Sequence, residues 1–355
     1  METAASCLGV SEVKTVSKIN KNSFDGSLQS KGAFFRKARY DLVQDQINDS
    51  VKKYIDFPNR KIFAHMTEER PCQVCGSVRS RPLFEKNFFR HVRCEDCTFV
   101  YVNPILKEQL LRDYYQGVAG SWTDMTENHE YTSYQNQYYH FHLDHIEGAL
   151  PTTSRDILDI GCNHGGFLSI AKERGWKVTG HELNRYAVDH ARKKGIEVWD
   201  QPFCAEIFGQ RRFSAVTLLG VLEHLPYPHQ VLTEVRKLLE PGGVLAILVP
   251  NIDSIATRIL HEKCNTFDGI EHINFWNRNT LSRFLKRTGF ELTHAETTIS
   301  EIYSLNNYLY FEHPYASAEE HPLLLDVLSP DYIHQHYLGH HLCAYARLDL
   351  ANSRS

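Results

Sequence analysis

From Asp156 onward, short apolar runs alternate with amphipathic stretches. "DILDI", "KVTGHEL", "IEVW", "SAVTLLG" and "VLAILVP" read as strands. Between them, "GFLSIAKERG", "RYAVDHARKKG" and "PHQVLTEVRKLLEPGG" space their apolar residues as helices do and stop at glycine. Strands and helices alternating through short loops predict a parallel sheet covered by helices on both faces. "NTLSRFLKRTGFEL" adds a helix, a glycine stop and a strand, and "HHLCAYARLDL" supplies one more strand near the end. The expectation is an α/β fold with a seven-stranded, mostly parallel sheet over residues 121–355.

Upstream the pattern is weaker. The first stretch is rich in Lys, Ser, Asn and Gly and predicts disorder. It leads into "FFRKARYDLVQDQINDSVKKYI", where Phe35, Ala38, Leu42, Val51 and Tyr54 recur at roughly helical spacing. One amphipathic helix in an N-terminal arm (1–65), packed on the body or joining a homodimer, is expected. Cysteine pairs occupy the next segment, 66–120.

Composition narrows the class. With 42% hydrophobic and 23% charged residues, most of the 355-residue chain should be globular. A net charge of -4 gives no general basic field for nucleic acid. The start "METAASCLGV" lacks a basic segment followed by a long apolar run, and the longest apolar run, "GGVLAILVP", is too short to span a bilayer. Of nine cysteines, four stand in two close pairs and the rest are scattered. That suits a cytoplasmic protein with a metal site better than a disulfide scaffold.

"CQVC" and "CEDC" place Cys72, Cys75, Cys94 and Cys97 in zinc-ribbon spacing. Two residues between cysteines let one turn present both thiolates to one ion, and two such turns complete a tetrahedron. Four thiolates leave no position for water, so the expected Zn2+ is structural.

"LDIGCNHGGFL" is a strand running into a glycine turn and a helix. Asp159 ends the strand, Gly161, Gly165 and Gly166 follow, and Glu182 stands near the tip of the next strand. Ligands of open parallel sheets bind beyond the carboxyl ends of the strands, where an acidic tip can accept both hydroxyls of a ribose. Asn163 holds the position where a dinucleotide loop needs glycine, so that the backbone can approach a pyrophosphate. Asn tolerates positive φ, and Asp159 would repel phosphate but suit a cation. Both residues speak against a dehydrogenase.

"LDIGCNHGGFL", "GHEL", "VTLLGVLEHLPYP", "LLEPGGVLAILVPN" and "EHINFWNRNTLSRFLKRTGF", in this order, resemble the class I S-adenosylmethionine-dependent methyltransferases. "CQVCGS…VRCEDCTFVYVNP" is similar to the leader of their bacterial branch with an N-terminal CxxC…CxxC segment. The resemblance implies a Rossmann-like fold with S-adenosylmethionine as cofactor. It implies that Asp159, Gly161, Cys162, Asn163 and Gly165 form the loop around the methionine part. Glu182 would bind the ribose hydroxyls, Leu183 would pack on the adenine, and Asp200 and Gln201 would contact the adenine edge. Leu219 would line the pocket. Asn163 and His164 depart from the Gly and Thr of many members.

Methyl transfer needs an aligned acceptor and often a base. "VLEHLP" offers Glu223 and His224, and "EHINFW" offers Glu271 and His272. Histidine titrates near neutral pH, which makes His224 and His272 the natural candidates. Each can equally be a structural residue, and the sequence does not choose among them. Ubiquinone-pathway O-methyltransferases resemble this region and can hold a divalent metal on an ExxEH cluster. Here Gly220 takes the first position, which argues against a catalytic metal. Tyr134, Tyr138 and His142 recur every four residues and share one helical face, either lining the acceptor site or packing in the core. His140 and His142, only two apart, diverge on such a helix, which argues against a metal held by His140, His142 and His145.

The expected activity is methylation of a small-molecule acceptor (a sugar, sugar nucleotide or secondary-metabolite precursor) at oxygen, nitrogen or carbon. An RNA methyltransferase would use Lys86, Arg90 and Arg93 among the aromatics of the cysteine segment. A non-enzymatic, cofactor-binding module is the third reading. Nucleic acid and membrane are not expected partners.

Overall fold

In a computed structural model of the chain, residues 52, 54–56, 61–116, 129–151, 153–311 and 328–349 are described. The amphipathic helix expected in the arm, with its homodimer contact, lies almost wholly outside them.

After short two-residue strands, the cysteine segment carries β1 (Ser80–Lys86), β2 (Phe89–Cys94) and β3 (Val100–Val102). Helix α1 (His129–Ala149) follows. Then come β4 (Asp156–Ile160), α2 (Gly166–Glu173), β5 (Lys177–His181), α3 (Arg185–Lys193) and β6 (Glu197–Trp199). Next are β7 (Phe213–Leu219), α4 (Pro228–Leu238), β8 (Leu239–Pro250) and α5 (Ile255–Leu260). The chain continues through β9 (Asn274–Phe275), α6 (Arg278–Arg287), β10 (Phe290–Thr298), α7 (Ile302–Phe311), α8 (Pro330–Gln335) and β11 (His341–Leu348).

The central sheet has seven strands in the order β6-β5-β4-β7-β8-β11-β10. Its first five strands pair in parallel, and β11 runs antiparallel to both its neighbours. This is the seven-stranded, mostly parallel, Rossmann-like sheet that the apolar pattern and the resemblance predict. Successive residues point to opposite faces of a strand. Leu158, Val216, Leu218, Leu245 and Ile247 therefore enter one core with Leu281 and Phe284. Ile157, Ala215, Val244 and Ala246 enter the other, with Tyr138, Phe141, Ile146 and Val188. The order reverses at β4, which has β5 on one side and β7 on the other, and a crevice opens beyond strand ends at such a point.

The cysteine segment is joined to this body by a shared sheet. Its four strands run β9-β3-β2-β1, and β9 comes from the far part of the chain, pairing Asn274 with Tyr101 and Phe275 with Val100. Phe99 packs its ring 4.7 Å from that of Trp276, which in turn lies 4.9 Å from Phe284 of α6. Buried Arg70 donates to the carbonyls of Pro226 (2.7 Å) and Ile273 (2.7 Å). The four cysteines are themselves part of the core beneath α6, three of them buried.

Candidate active site

The loop after β4 is built on positive φ. Gly161 (φ 72°), Asn163 (φ 47°) and Gly165 (φ 76°) all sit there. A Cβ on Gly161 would lie 2.6 Å from Cγ2 of Val221, and one on Gly165 2.4 Å from Cδ1 of Ile196, so both must be glycine. Asn163 adopts the left-handed conformation with a side chain, and its Oδ1 accepts the amide of His164 at 2.8 Å. The turn that in a phosphate loop would be bare backbone is here self-bonded.

Asp159 is buried at the end of β4, where Oδ1 accepts from Thr217 Oγ1 at 2.6 Å. Burial pushes its carboxyl up to about 7; the Thr217 bond works against this and the nearby Glu182 adds to it. Glu182 is held at the tip of β5 by two backbone amides, Asn163 N at 3.0 Å and Asn184 N at 2.8 Å. Burial raises its carboxyl too, against these bonds. Two carboxylates at the mouth of one crevice favour a cation and disfavour phosphate.

A cavity of about 240 Å³ opens beside this loop. Asp159, Gly161, Cys162, Asn163 and Leu219 line it, as do Tyr138 and His142 of α1. Gly165 lies under the loop rather than in the cavity, and Glu182 reaches its rim through Asn163. Leu183 (40% exposed), Asp200 and Gln201 lie along the neighbouring strand ends, outside the cavity. Asp200 pairs with Arg192 at 3.3 Å, and the Gln201 carbonyl accepts from His181 at 2.8 Å. The side chain of Tyr134 is not among those described.

Tyr138 and His142 are both buried and cavity-lining, so the expected alternatives for that face coincide. Tyr138 bonds Thr298 of β10 and lies 3.1 Å from His341 Nδ1, while His142 Nδ1 bonds the Tyr345 hydroxyl at 2.9 Å. Tyr139, Phe167, Leu248 and His341 also line the wall. The sequence reading missed these, because a single aromatic or His within an apolar run carries no signal of which way it faces.

Beyond β7 the chain turns at Gly220, another wall residue, and a Cβ there would lie 3.7 Å from Glu223 Oε1. The ligand atoms of Glu223, His224 and His272 lie within 4.8 Å of one another, so the structure brings the three candidate bases together. They differ electrostatically. Glu223 is buried, and desolvation pushes its carboxyl up to about 7, against the pull of His272. His224 is pushed down to about 3 by desolvation and by His272. Its Nδ1 donates to the Glu271 carbonyl at 2.8 Å, and Tyr115 Oη lies 3.1 Å away. Desolvation also opposes charge on His272, but Asp268, Glu223, the Thr266 carbonyl and Glu271 outweigh it, and its pKa is raised. Asp268 was not singled out from the sequence, yet it organises this loop. Its Oδ1 accepts the amides of Ile270 (2.8 Å), Glu271 (2.7 Å) and His272 (3.2 Å).

The cysteines Cys72, Cys75, Cys94 and Cys97 also converge. Cys72 and Cys97 sulfurs are 3.4 Å apart, Cys75 and Cys94 sulfurs 3.5 Å, and all four lie within 4.8 Å of one another. Four thiolates around one ion at about 2.3 Å need sulfurs roughly 3.8 Å apart, so the set fits zinc. Two of the three cations in the basic string beside them bond backbone carbonyls. Lys86 donates to the Cys264 carbonyl (2.8 Å) and Arg90 to the Asn103 carbonyl (2.9 Å). Among the described residues, no helix is long and apolar enough to cross a membrane.

A methyltransferase-domain family profile matches residues 133–295, from within α1 to within β10. The resemblance read from the motifs is borne out over that stretch. Over 108 residues the chain is 32% identical to a ubiquinone biosynthesis O-methyltransferase of Nitrosococcus oceani, covering 28% of this chain and 46% of the relative. It is 31% identical over 170 residues to a sterol 24-C-methyltransferase of Gibberella zeae, covering 44% of each. The chain thus spans less than half the length of these relatives. Among solved structures, magnesium protoporphyrin IX methyltransferase from Synechocystis PCC 6803 aligns with 68% of this chain and 99% of its own, at 13% identity and a TM-score of 0.44.

Proposed function

We propose that this chain, whose residues 133–295 match the methyltransferase-domain family, transfers a methyl group from S-adenosylmethionine to a hydroxyl of a small, ring-bearing acceptor. When bound, the cofactor supplies an electrophilic methyl on a sulfonium with a neutral thioether as leaving group. The residues fit it. Asp159 offers a buried carboxylate to its cationic amino acid part, and Glu182, fixed by two amides, keeps lone pairs for ribose hydroxyls. Leu183 presents an exposed apolar side chain next to Glu182 for the adenine face.

The observation that carries the acceptor reading is Glu223. It is a buried carboxyl pushed up to about 7, 3.7 Å from the Cβ position of cavity-lining Gly220. A base works best with a pKa near the working pH. Glu223, with His272 beside it, takes the acceptor proton. His224, held near 3 and tied to Glu271, orients the loop. The ring faces of Tyr138, Tyr139 and Phe167 suit a planar or sugar-like acceptor. The four cysteines would hold a structural zinc ion under α6. The segment that carries the four cysteines acts as a brace for the acceptor side.

Calorimetric titration with S-adenosylmethionine and separately with NAD tests the cofactor. S-adenosylmethionine binding that weakens strongly in Glu182→Ala supports the reading, and binding of NAD in its place overturns it. Methyl transfer is then followed with a labelled methyl group across phenolic and sugar acceptors.

A further inference from the structure

We propose a second metal site, separate from the four cysteines, in which His145 of α1 and His294 and Glu296 of β10 bind one divalent transition metal ion such as zinc. Their ligand atoms lie within 4.8 Å of one another. His145 Nε2 is 2.6 Å and His294 Nε2 3.1 Å from the same oxygen, Oε1 of Glu296. Glu296 and His145 are largely covered, with 7% and 14% of their side chains exposed, while His294 is 52% exposed and leaves an approach from solvent.

Three features show that the cluster is built. The first is a register shift between Leu292 and His294 in the pairing of β10 with β11. Thr293, inside the shift, bonds the Tyr345 carbonyl at 2.8 Å. Bulges re-aim side chains, and here His294 and Glu296 face α1 together. Second, Tyr345 of β11 stacks on His145 (4.9 Å, 11°) and on His294 (6.0 Å, 29°), fixing both ring planes. Third, His145 Nδ1 lies 2.9 Å from the Phe141 carbonyl, which assigns the ring proton to Nδ1. That backbone bond is the support a metal-binding imidazole ordinarily has on its other nitrogen.

With Nδ1 protonated, Nε2 of a neutral His145 turns a lone pair toward a carboxylate oxygen. The arrangement requires a proton or a cation between them. With its own proton on Nε2, His294 can donate to the same oxygen; a divalent ion in that place is instead ligated by both Nε2 lone pairs and the carboxylate together. Two imidazoles and one carboxylate suit zinc, cobalt or nickel rather than magnesium or calcium. Metal–ligand distances of about 2.0–2.1 Å in a tetrahedron put donors roughly 3.3 Å apart, so the two histidine–carboxylate distances need to open by less than an ångström. The fourth position faces water. Such an ion would pin α1, which carries Tyr138 and His142 on the cavity wall, to the edge of the sheet.

The test is metal content and Co2+ absorption of the full chain with the cysteine site already loaded with zinc. The expected result is one further equivalent of Zn2+ or Co2+, its cobalt spectrum free of the thiolate charge-transfer band. Its affinity should fall by at least about tenfold in His294→Ala, an exposed position, and in the near-isosteric Glu296→Gln. The cysteine-bound equivalent should stay in both variants. A wild-type protein that takes up only the cysteine-bound equivalent overturns the proposal. So does a further equivalent that survives His294→Ala and disappears in His272→Ala, because it would belong to the Glu223–His224–His272 cluster.

Discussion

Asp159 and Glu223 are both carboxyls that burial has pushed to about 7, and their pH behaviour follows from that sign. A carboxyl whose pKa is higher folded than unfolded binds its proton more tightly in the native state. Its contribution to stability is full below the unfolded value and fades as pH climbs toward 7. A cationic ligand needs Asp159 ionised. The affinity for S-adenosylmethionine should therefore rise about tenfold from pH 6 to pH 8 and flatten above, and Asp159→Asn should be weaker and nearly pH-independent. Isothermal titration across that range checks it. A Glu223 base gives the same direction for turnover: the rate at saturating cofactor should climb through a midpoint near 7. Glu223→Gln should lose on the order of 10²–10⁴ in rate while still binding cofactor. Single-turnover kinetics with matched binding data separate the two effects. Asp159 was legible in the sequence because an acidic residue closing an apolar strand before glycines has few structural uses. The ranking of Glu223 over His224 was not, because it depends on desolvation and on the carbonyl of Glu271, which only the folded loop supplies.

The turn between β4 and α2 combines two strict positions with one permissive position. Gly161→Ala would bring a Cβ to 2.6 Å from Val221 at φ 72° and should destabilise the protein by about 1–2 kcal/mol from the backbone alone, with more from the clash. Asn163→Gly should fold and bind cofactor nearly as wild type, whereas Asn163→Val should lose stability, since a β-branched residue does not accept φ 47°. Thermal melts of the three variants give the comparison. The strands and helices of the sheet could be read almost whole from apolar runs and glycine stops, including β11, except that α4 ends at Leu238 and β8 begins at Leu239, ahead of the glycines expected to stop the helix. The cavity wall contributed by α1 was half legible, since a four-residue spacing names a face without saying what it meets. The short strand β9 left no signal, because two residues paired across so much chain have no periodicity.

For the whole molecule, the cysteine site and the candidate bases are connected through a few bonds. β3 pairs with β9, and the amides of Ile273 (3.0 Å) and Asn274 (3.1 Å) both donate to the carbonyl of Glu223. Loss of zinc should loosen more than its own sheet. Cys94→Ser or chelation should lower the melting temperature and also depress turnover, while cofactor affinity, set on the far side of β4, changes less. Near-ultraviolet circular dichroism should register the change as well, since Trp276 lies between Phe99 and Phe284. An affinity for S-adenosylmethionine that collapses in parallel with turnover would count against this division.

The borrowed strand β9 also bears on how the molecule is made. A ribosome delivers Cys72 to Val102 first, yet the edge of β3 stays open until the chain has been extended through Phe275. In the interval the nascent polypeptide exposes an apolar strand edge, with Phe99 and Tyr101 uncovered, and such edges recruit neighbouring chains. Residues 66–120 made alone should therefore aggregate even when supplied with zinc. The yield of soluble protein should depend on how quickly translation carries the chain from the first cysteine pair to Trp276.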